Sequence, residues 1–180
     1  MSFMRVTLTS LTQDLEEQIL NMKSDGLNFK SVAHIGKTTR QLGGYFAGSF
    51  DAPLLSLPSL NRRSGVSKQA IQALNEFYKF LPVSFLRFLS ESYKRMYRHS
   101  ERTIPEFDSA NLSDSLGGGS LLLVDDNSLT GLTFEAWKGE IQRINPSPIT
   151  TFSVTATGDY RPDYFCYDSW RSFSWRPIGI

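Results

Sequence analysis

Asp125 and Asp126 stand side by side at the end of an apolar run, Leu121 to Val124, and are followed by Asn127-Ser128-Leu129-Thr130-Gly131-Leu132-Thr133. Such a run has the length of a buried strand, and its abrupt end in charge predicts that the chain leaves the interior at Asp125. Asn127, Thr130 and Gly131 favour a tight turn, after which Phe134 to Asn145 has helical spacing with Ala136, Trp137, Ile141 and Ile144 as its apolar positions. The first turn of a helix points unpaired N–H groups and a partial positive charge into the preceding loop, and the hydroxyls of Ser128, Thr130 and Thr133 add donors there. A phosphate suits that position. The paired carboxylates would repel a phosphate placed against them, but they accept hydrogen bonds from vicinal hydroxyls about a ribose-length away. The chemistry is that of a ribose 5-phosphate cradle, and an ordinary strand-to-helix connection capped by two aspartates is the competing reading.

In this order the residues resemble the 5-phosphoribosyl-1-pyrophosphate (PRPP) motif of the type I phosphoribosyltransferases, an apolar strand followed by D-[DE]-x-x-x-[TS]-G-x-[TS]. VDDNSLTGLT fills every fixed position of it. The resemblance implies an α/β fold with a mainly parallel central sheet flanked by helices, and transfer of ribose 5-phosphate from PRPP to a nucleobase or related acceptor with release of pyrophosphate. Asp125 and Asp126 become the catalytic pair that holds the ribose hydroxyls and favours developing positive charge, while Asn127, Ser128, Leu129, Thr130, Gly131, Leu132 and Thr133 wrap the 5-phosphate. Mg2+ is implied as cofactor, bound through PRPP oxygens and water with no direct protein ligand. In the family's 6-oxopurine enzymes an aspartate commonly precedes Thr-Gly and assists proton removal from the purine. Leu129 stands there instead, which argues against hypoxanthine or guanine; branches that use orotate or adenine also lack the acid, so the acceptor stays open.

The elements that must position this stretch are legible on either side of it. Thr12 to Ser24 carries a helical stripe of Leu15, Ile19, Leu20 and Met22 and closes near Gly26. Phe29 to Ile35 is a short β-prone run, Gln41 to Phe50 suits a close-packed helix, and Leu54 to Leu57 is a further apolar run, together a βαβ unit. Its first loop, Gly36-Lys37-Thr38-Thr39-Arg40, gathers cations, hydroxyls and flexible backbone. A nucleotide P-loop needs a glycine where Ser31 stands, so that pattern is absent. By the resemblance the loop binds the pyrophosphate of PRPP, though relatives often carry Arg or Lys before two glycines and this chain has Thr38-Thr39-Arg40. A solvated basic loop is the plainer alternative.

Residues 61–116 read as an insertion within a single domain spanning 1–180. Arg62 and Arg63 fall in a polar, flexible stretch that corresponds to the family's mobile catalytic loop. Ser67 to Leu81 and Val83 to His99 are helix-like and separated by Pro82, a helical hairpin that leaves a homo-oligomer or a protein partner open. Lys94, Arg95, Arg98 and His99 interleave with Tyr93 and Tyr97 near the end of the second segment, where cations also belong for dipole reasons; nucleic acid is not expected as a partner. Ser109 to Ser120, with three consecutive glycines, reads as a flexible approach to the central strand.

Beyond a strand at Pro148 to Thr157 the tail is aromatic, forming a small hood that either seals a core or stacks on a flat ligand. Asp163-Tyr164-Phe165 and the segment Trp170 to Trp175 are similar to the base-binding region of bacterial xanthine-guanine phosphoribosyltransferases, which makes Trp170 and Phe165 the base-stacking candidates. The whole chain of 180 residues has a net charge of +1 and 40% apolar content, enough for one cored domain and no global argument for nucleic acid or membrane surfaces. One cysteine, Cys166, excludes an internal disulfide, and two histidines leave little for a metal site. No apolar run approaches the roughly 18 residues that span a bilayer, so a soluble, cytoplasmic protein is expected. Two further functions stay in view: a non-catalytic PRPP or nucleotide sensor, and a partner-dependent effector on the same fold.

Overall fold

The computed structural model describes residues 5–62, 102–107, 109–116, 118–128, 130–144, 146–156, 158–168 and 172–173. The expected hairpin over 67–81 and 83–99, and Arg63, Leu129 and Trp170, lie outside these residues.

The strands are β1 (Arg5–Val6), β2 (Ser31–Ile35), β3 (Leu54–Leu57), β4 (Asn61–Arg62), β5 (Arg102–Thr103), β6 (Leu121–Ser128), β7 (Ile149–Ala156), β8 (Tyr164–Tyr167) and β9 (Ser172–Phe173). The helices are α1 (Leu8–Ser24), α2 (Arg40–Phe50), α3 (Ser109–Leu116) and α4 (Leu132–Ile144). Five strands in the order β3-β2-β6-β7-β8 form an all-parallel sheet. β1 pairs with β9 in parallel, and β4 pairs antiparallel with β5, which places the backbone of Arg62 opposite Arg102.

Helices cover both faces of the sheet, which is why β2 and the first half of β6 are buried throughout and read as near-continuous apolar runs. Alternation along β6 divides the core. Leu122 and Val124 pack with Leu15, Ile19 and Met22 of α1 and Phe46 and Phe50 of α2, whereas Leu121 and Leu123 pack with Leu112 and Leu116 of α3 and Phe134, Trp137 and Ile141 of α4. Rings lock each layer: Phe46 meets Phe152 at 4.5 Å between centroids, and Phe107 meets Trp137 edge-on at 5.1 Å.

Three local outcomes depart from the sequence expectation. Helix α1 begins at Leu8 because Thr7 and Ser10 cap it reciprocally: the Ser10 N–H donates to Thr7 Oγ1 at 3.2 Å and the Thr7 N–H to Ser10 Oγ at 3.0 Å. Leu20, counted on its apolar stripe, is 67% exposed. The stretch before the central strand is helical over Ser109–Leu116, not flexible, because Leu112 and Leu116 fall one turn apart and bury against the sheet; burial outweighs the poor helix propensity of Ser and Asn.

The tail contributes the edge strand β8, whose Tyr164 and Tyr167 hydroxyls donate to Asp25 and Asp14 of the α1 segment. Those two rings pack against the core. Between them Cys166 has its thiol pushed up to about 12, first by burial and then by Asp14 and Glu17. Among the described residues no helix is long and apolar enough to cross a membrane.

Candidate functional site

The connection after β2 runs through α2 to β3 on one side, and the connection after β6 runs through α4 to β7 on the other, so the adjacent strands β2 and β6 lead away in opposite directions. Their carboxyl ends meet at this switch point, the place where open α/β sheets bind ligands. The last pair of the β2–β6 ladder is His34 with Val124, so Ile35-Gly36 and Asp125-Asp126 follow directly from it on adjacent strands. Topology thus brings the two loops singled out by chemistry to one edge, which no reading of either segment alone supplies.

On the β2 side, Gly36 has φ +76°, a conformation that favours glycine, and its N–H donates to Leu57 O at 2.7 Å. Lys37, Thr38 and Arg40 are exposed, while Thr39 is buried. Thr39 is the N-cap residue of α2, yet its side chain does not cap that helix; its hydroxyl donates backward to Ile35 O at 2.6 Å. His34 is 2% exposed and its Nδ1 lies 2.8 Å from Gly36 O, so this nitrogen carries the proton and donates to the carbonyl. Burial above all, with help from Arg40, holds the imidazole pKa below its usual value of 6.5, against the opposing pull of the Gly36 bond.

On the β6 side, the strand does not end at Asp125. It continues to Ser128, because Asp125, Asn127 and Ser128 pair with Ser153, Thr155 and Ala156 of β7. Asn127 Oδ1 accepts from Thr155 Oγ1 at 2.8 Å, which ties that amide to the neighbouring strand and away from the loop. Asp125 and Asp126 are half-buried, and Asp125 Oδ1 accepts the Asp126 N–H at 2.8 Å. Helix α4 starts earlier than expected, since the Gly131 carbonyl already accepts from Glu135 N–H at 2.9 Å. The loop is therefore short, and the helix start sits close to the strand end. Ser128 is 2% exposed and its Oγ has no hydrogen-bond partner among the described residues, the kind of buried orphan that a bound oxyanion would satisfy. Thr130 and Thr133 are half-buried beside it in sequence, and Thr133 falls in the first turn of α4.

Gly131 has φ +72° and a Cβ on it would overlap the ring of Tyr160. Tyr160 stacks on Phe134, with ring centroids 5.8 Å apart, and so clamps the start of α4; it comes from the connection between β7 and β8, where no motif pointed to it. In the same connection Arg161 donates to Ala156 O at 3.0 Å and lies over the Phe165 ring at 5.4 Å. Phe165 stands in register with Ser153 and through it with Asp125, two strands away or about 10 Å. His34, Ser128 as an orphan and Tyr160 are what sequence reasoning missed. For His34 a signal existed, a lone polar residue in an apolar strand one step before a loop; Tyr160 belongs to the aromatic tail that the sequence marks as sealing a core or stacking on a ligand, but nothing in the sequence aimed it at the start of α4.

No known protein family and no curated protein matches the chain by sequence. Solved structures do match by fold. A purine phosphoribosyltransferase from Pyrococcus horikoshii Ot3 aligns over 100% of this chain and 97% of its own, with TM-score 0.63 at 13% identity. Helicobacter pylori xanthine-guanine-hypoxanthine phosphoribosyltransferase aligns over 95% and 90%, with TM-score 0.59 at 13% identity. A hypothetical protein from Neisseria gonorrhoeae with bound ppGpp aligns over 96% and 88%, with TM-score 0.60 at 10% identity. At such identities the likeness establishes the fold, and the chain has the α/β fold of the type I phosphoribosyltransferases.

Proposed function

We propose that the chain is a phosphoribosyltransferase that moves ribose 5-phosphate from PRPP to a nucleobase or related heterocycle. The observation that carries this reading is the juxtaposition at the switch point: a basic loop after β2 and an acid-then-hydroxyl stretch at the end of β6, on adjacent strands of one sheet. The fold shared with purine phosphoribosyltransferases supports it.

In the reaction the C1–O bond to pyrophosphate breaks with its electron pair on the leaving group. The lone pair of an acceptor nitrogen forms the C1–N bond, and the acceptor's proton passes to solvent. Asp125 and Asp126 hold the ribose hydroxyls and place negative charge beside the cationic centre that develops at C1. The 5-phosphate takes the orphaned Ser128 hydroxyl, the Thr130 and Thr133 hydroxyls and the first N–H groups of α4. Lys37 and Arg40, exposed on the other loop, neutralise the departing pyrophosphate. The half-buried Asp125 and Asp126 carboxylates are the groups that would face Mg2+ brought in with PRPP, as acceptors for its bound water rather than direct ligands. When bound, the ion supplies further neutralisation of the pyrophosphate charge. Phe165, under the Arg161 guanidinium, is the described aromatic that would stack on the acceptor.

The test is release of pyrophosphate from PRPP across a panel of purine, pyrimidine and pyridine bases with Mg2+, and the expected result is turnover with one of them that Asp125→Asn/Asp126→Asn abolishes. Absence of PRPP uptake by calorimetry overturns the reading. A second reading, a nucleotide- or PRPP-sensing protein without turnover, draws support from Leu129 in place of the acid and from the ppGpp-bound neighbour. It predicts tight uptake with no pyrophosphate released on any base.

A further inference from the structure

We infer that His34 is a positioning residue: with Thr39 it draws the backbone of the β2–α2 loop inward, so that Lys37 and the uncapped start of α2 are presented to the pyrophosphate group. The inference rests on the proposed function and assigns a role that the reaction chemistry does not require of this side chain.

A five-residue strand buried on both faces has no packing need for an imidazole. Burying one costs free energy unless its polar atoms are used, and an apolar residue of similar size fills the same space without that cost. Here the Nδ1–H is spent on the carbonyl of Gly36, the one loop residue in a left-handed conformation. The ring is held on its other side by α2, which passes so close that a Cβ on Gly43 would come within 2.8 Å of His34 Cβ.

Thr39 points to the same conclusion from a separate direction. A threonine at a helix N-cap ordinarily satisfies that helix's own N–H groups. Thr39 instead sends its hydroxyl to Ile35 O and lies 3.2 Å from Gly36 O and 3.4 Å from His34 Nδ1. Two buried polar side chains are thus committed to the carbonyls on the inner side of the loop. The first turn of α2 is left without a side-chain acceptor, and Lys37, Thr38 and Arg40 remain exposed beside it. With the Ile35 and Gly36 carbonyls fastened inside and the Gly36 N–H spent on Leu57 O, the exposed Lys37, Thr38 and Arg40 are what the loop presents outward, and two cations beside a helix start suit an oxyanion with several charges.

The experiment is calorimetry with Mg2+ and three probes, PRPP, inorganic pyrophosphate and ribose 5-phosphate, on the wild type, His34→Leu, His34→Asn and Thr39→Val. Ribose 5-phosphate reaches only the β6–α4 loop and is the internal control. Loss of the imidazole donor in His34→Leu is expected to weaken PRPP and pyrophosphate about tenfold or more while ribose 5-phosphate changes by less than about twofold. His34→Asn keeps a donor at the position of Nδ1 and is expected to restore most of the affinity. Thr39→Val is expected to follow His34→Leu and carries the comparison should the leucine variant not fold. Equal PRPP and pyrophosphate affinity in His34→Leu or Thr39→Val overturns the inference, as does a parallel loss of all three probes. Uptake of ribose 5-phosphate alone by the wild type also overturns it and leaves the β6–α4 cradle standing, whereas a wild type that binds none of the three overturns the proposed function itself.

Discussion

Beside each other at the same edge of the sheet, the loop after β2 spends buried side chains on backbone carbonyls, whereas the end of β6 leaves the buried Ser128 hydroxyl without a partner among the described residues. One loop is fastened before any ligand arrives. The other carries an unmet hydrogen bond that costs about 1–3 kcal/mol until something fills it. A pre-set basic loop suits a highly charged leaving group, which gains most from donors that need no reorganisation, while an unfilled donor suits a phosphate that stays bound through the whole reaction.

The largest effect that sharpens this contrast is expected from Asp125→Asn/Asp126→Asn. Because both carboxylates are half-buried and Asn is close to Asp in size, the fold persists, while PRPP affinity falls by about 100-fold or more as the charge-assisted bonds to ribose hydroxyls are lost. Calorimetry against pyrophosphate alone checks it, since that probe does not touch the acids and retains its affinity. Next comes a paired glycine test by urea unfolding. Gly131→Ala meets both an unfavourable φ and the ring of Tyr160, and is expected to cost about 2–4 kcal/mol. Gly36→Ala has the same backbone strain but meets only the Ser59 hydroxyl, which rotates away, and is expected to cost about 1–2 kcal/mol. Equal costs would mean that the ring of Tyr160 is not clamping the start of α4.

Ser128→Ala tests the unmet hydroxyl directly. Removing a buried group that has no partner is expected to leave stability unchanged or raised by up to about 1 kcal/mol, while ribose 5-phosphate binds several-fold more weakly. A smaller effect follows from pH on the other loop. Since the His34 pKa is lowered in the folded chain, the unfolded chain binds a proton below pH 6.5 that the folded one resists, so stability falls as pH drops through that value. Acid titration of the urea midpoint should show this slope in the wild type and a flatter one in His34→Asn. The smallest change is predicted far from both loops. Burial, reinforced by Asp25 and then Asp163, pushes the Tyr164 hydroxyl up to about 12 from an ordinary 10.0. Its contribution to stability is therefore complete below pH 10.0 and lost as pH rises through about 12. Tyr164→Phe should lack that alkaline step and bind both phosphate probes as the wild type does.

Much of the fold was readable from apolar periodicity. Leu121 to Val124 and the α4 stripe of Trp137 and Ile141 announce their elements because both faces of the sheet are covered there and the pattern has nothing else to encode, while the apolar run Leu54 to Leu57 forms an edge strand in which only Leu57 is buried. Polar residues in regular structure were not readable. Asp125 to Ser128 stay in the ladder because β7 pairs with them, and Ser109 to Leu116 is helical because two leucines find a sheet to cover. Each depends on a partner distant in the chain.

The order of residues in Asp125 to Thr133 and Gly36 to Arg40 determined by itself which charges and hydroxyls each stretch carries, since that is a matter of side-chain chemistry and spacing. Tertiary structure alone decided that the two loops leave adjacent strands at one edge of the sheet, that Tyr160 braces one and His34 the other, and that Ser128 is left unmet among the described residues. The physical reason is that strand order and hydrogen-bond partnership are set by which apolar faces can be buried together across the whole chain, a competition that no local stretch can settle.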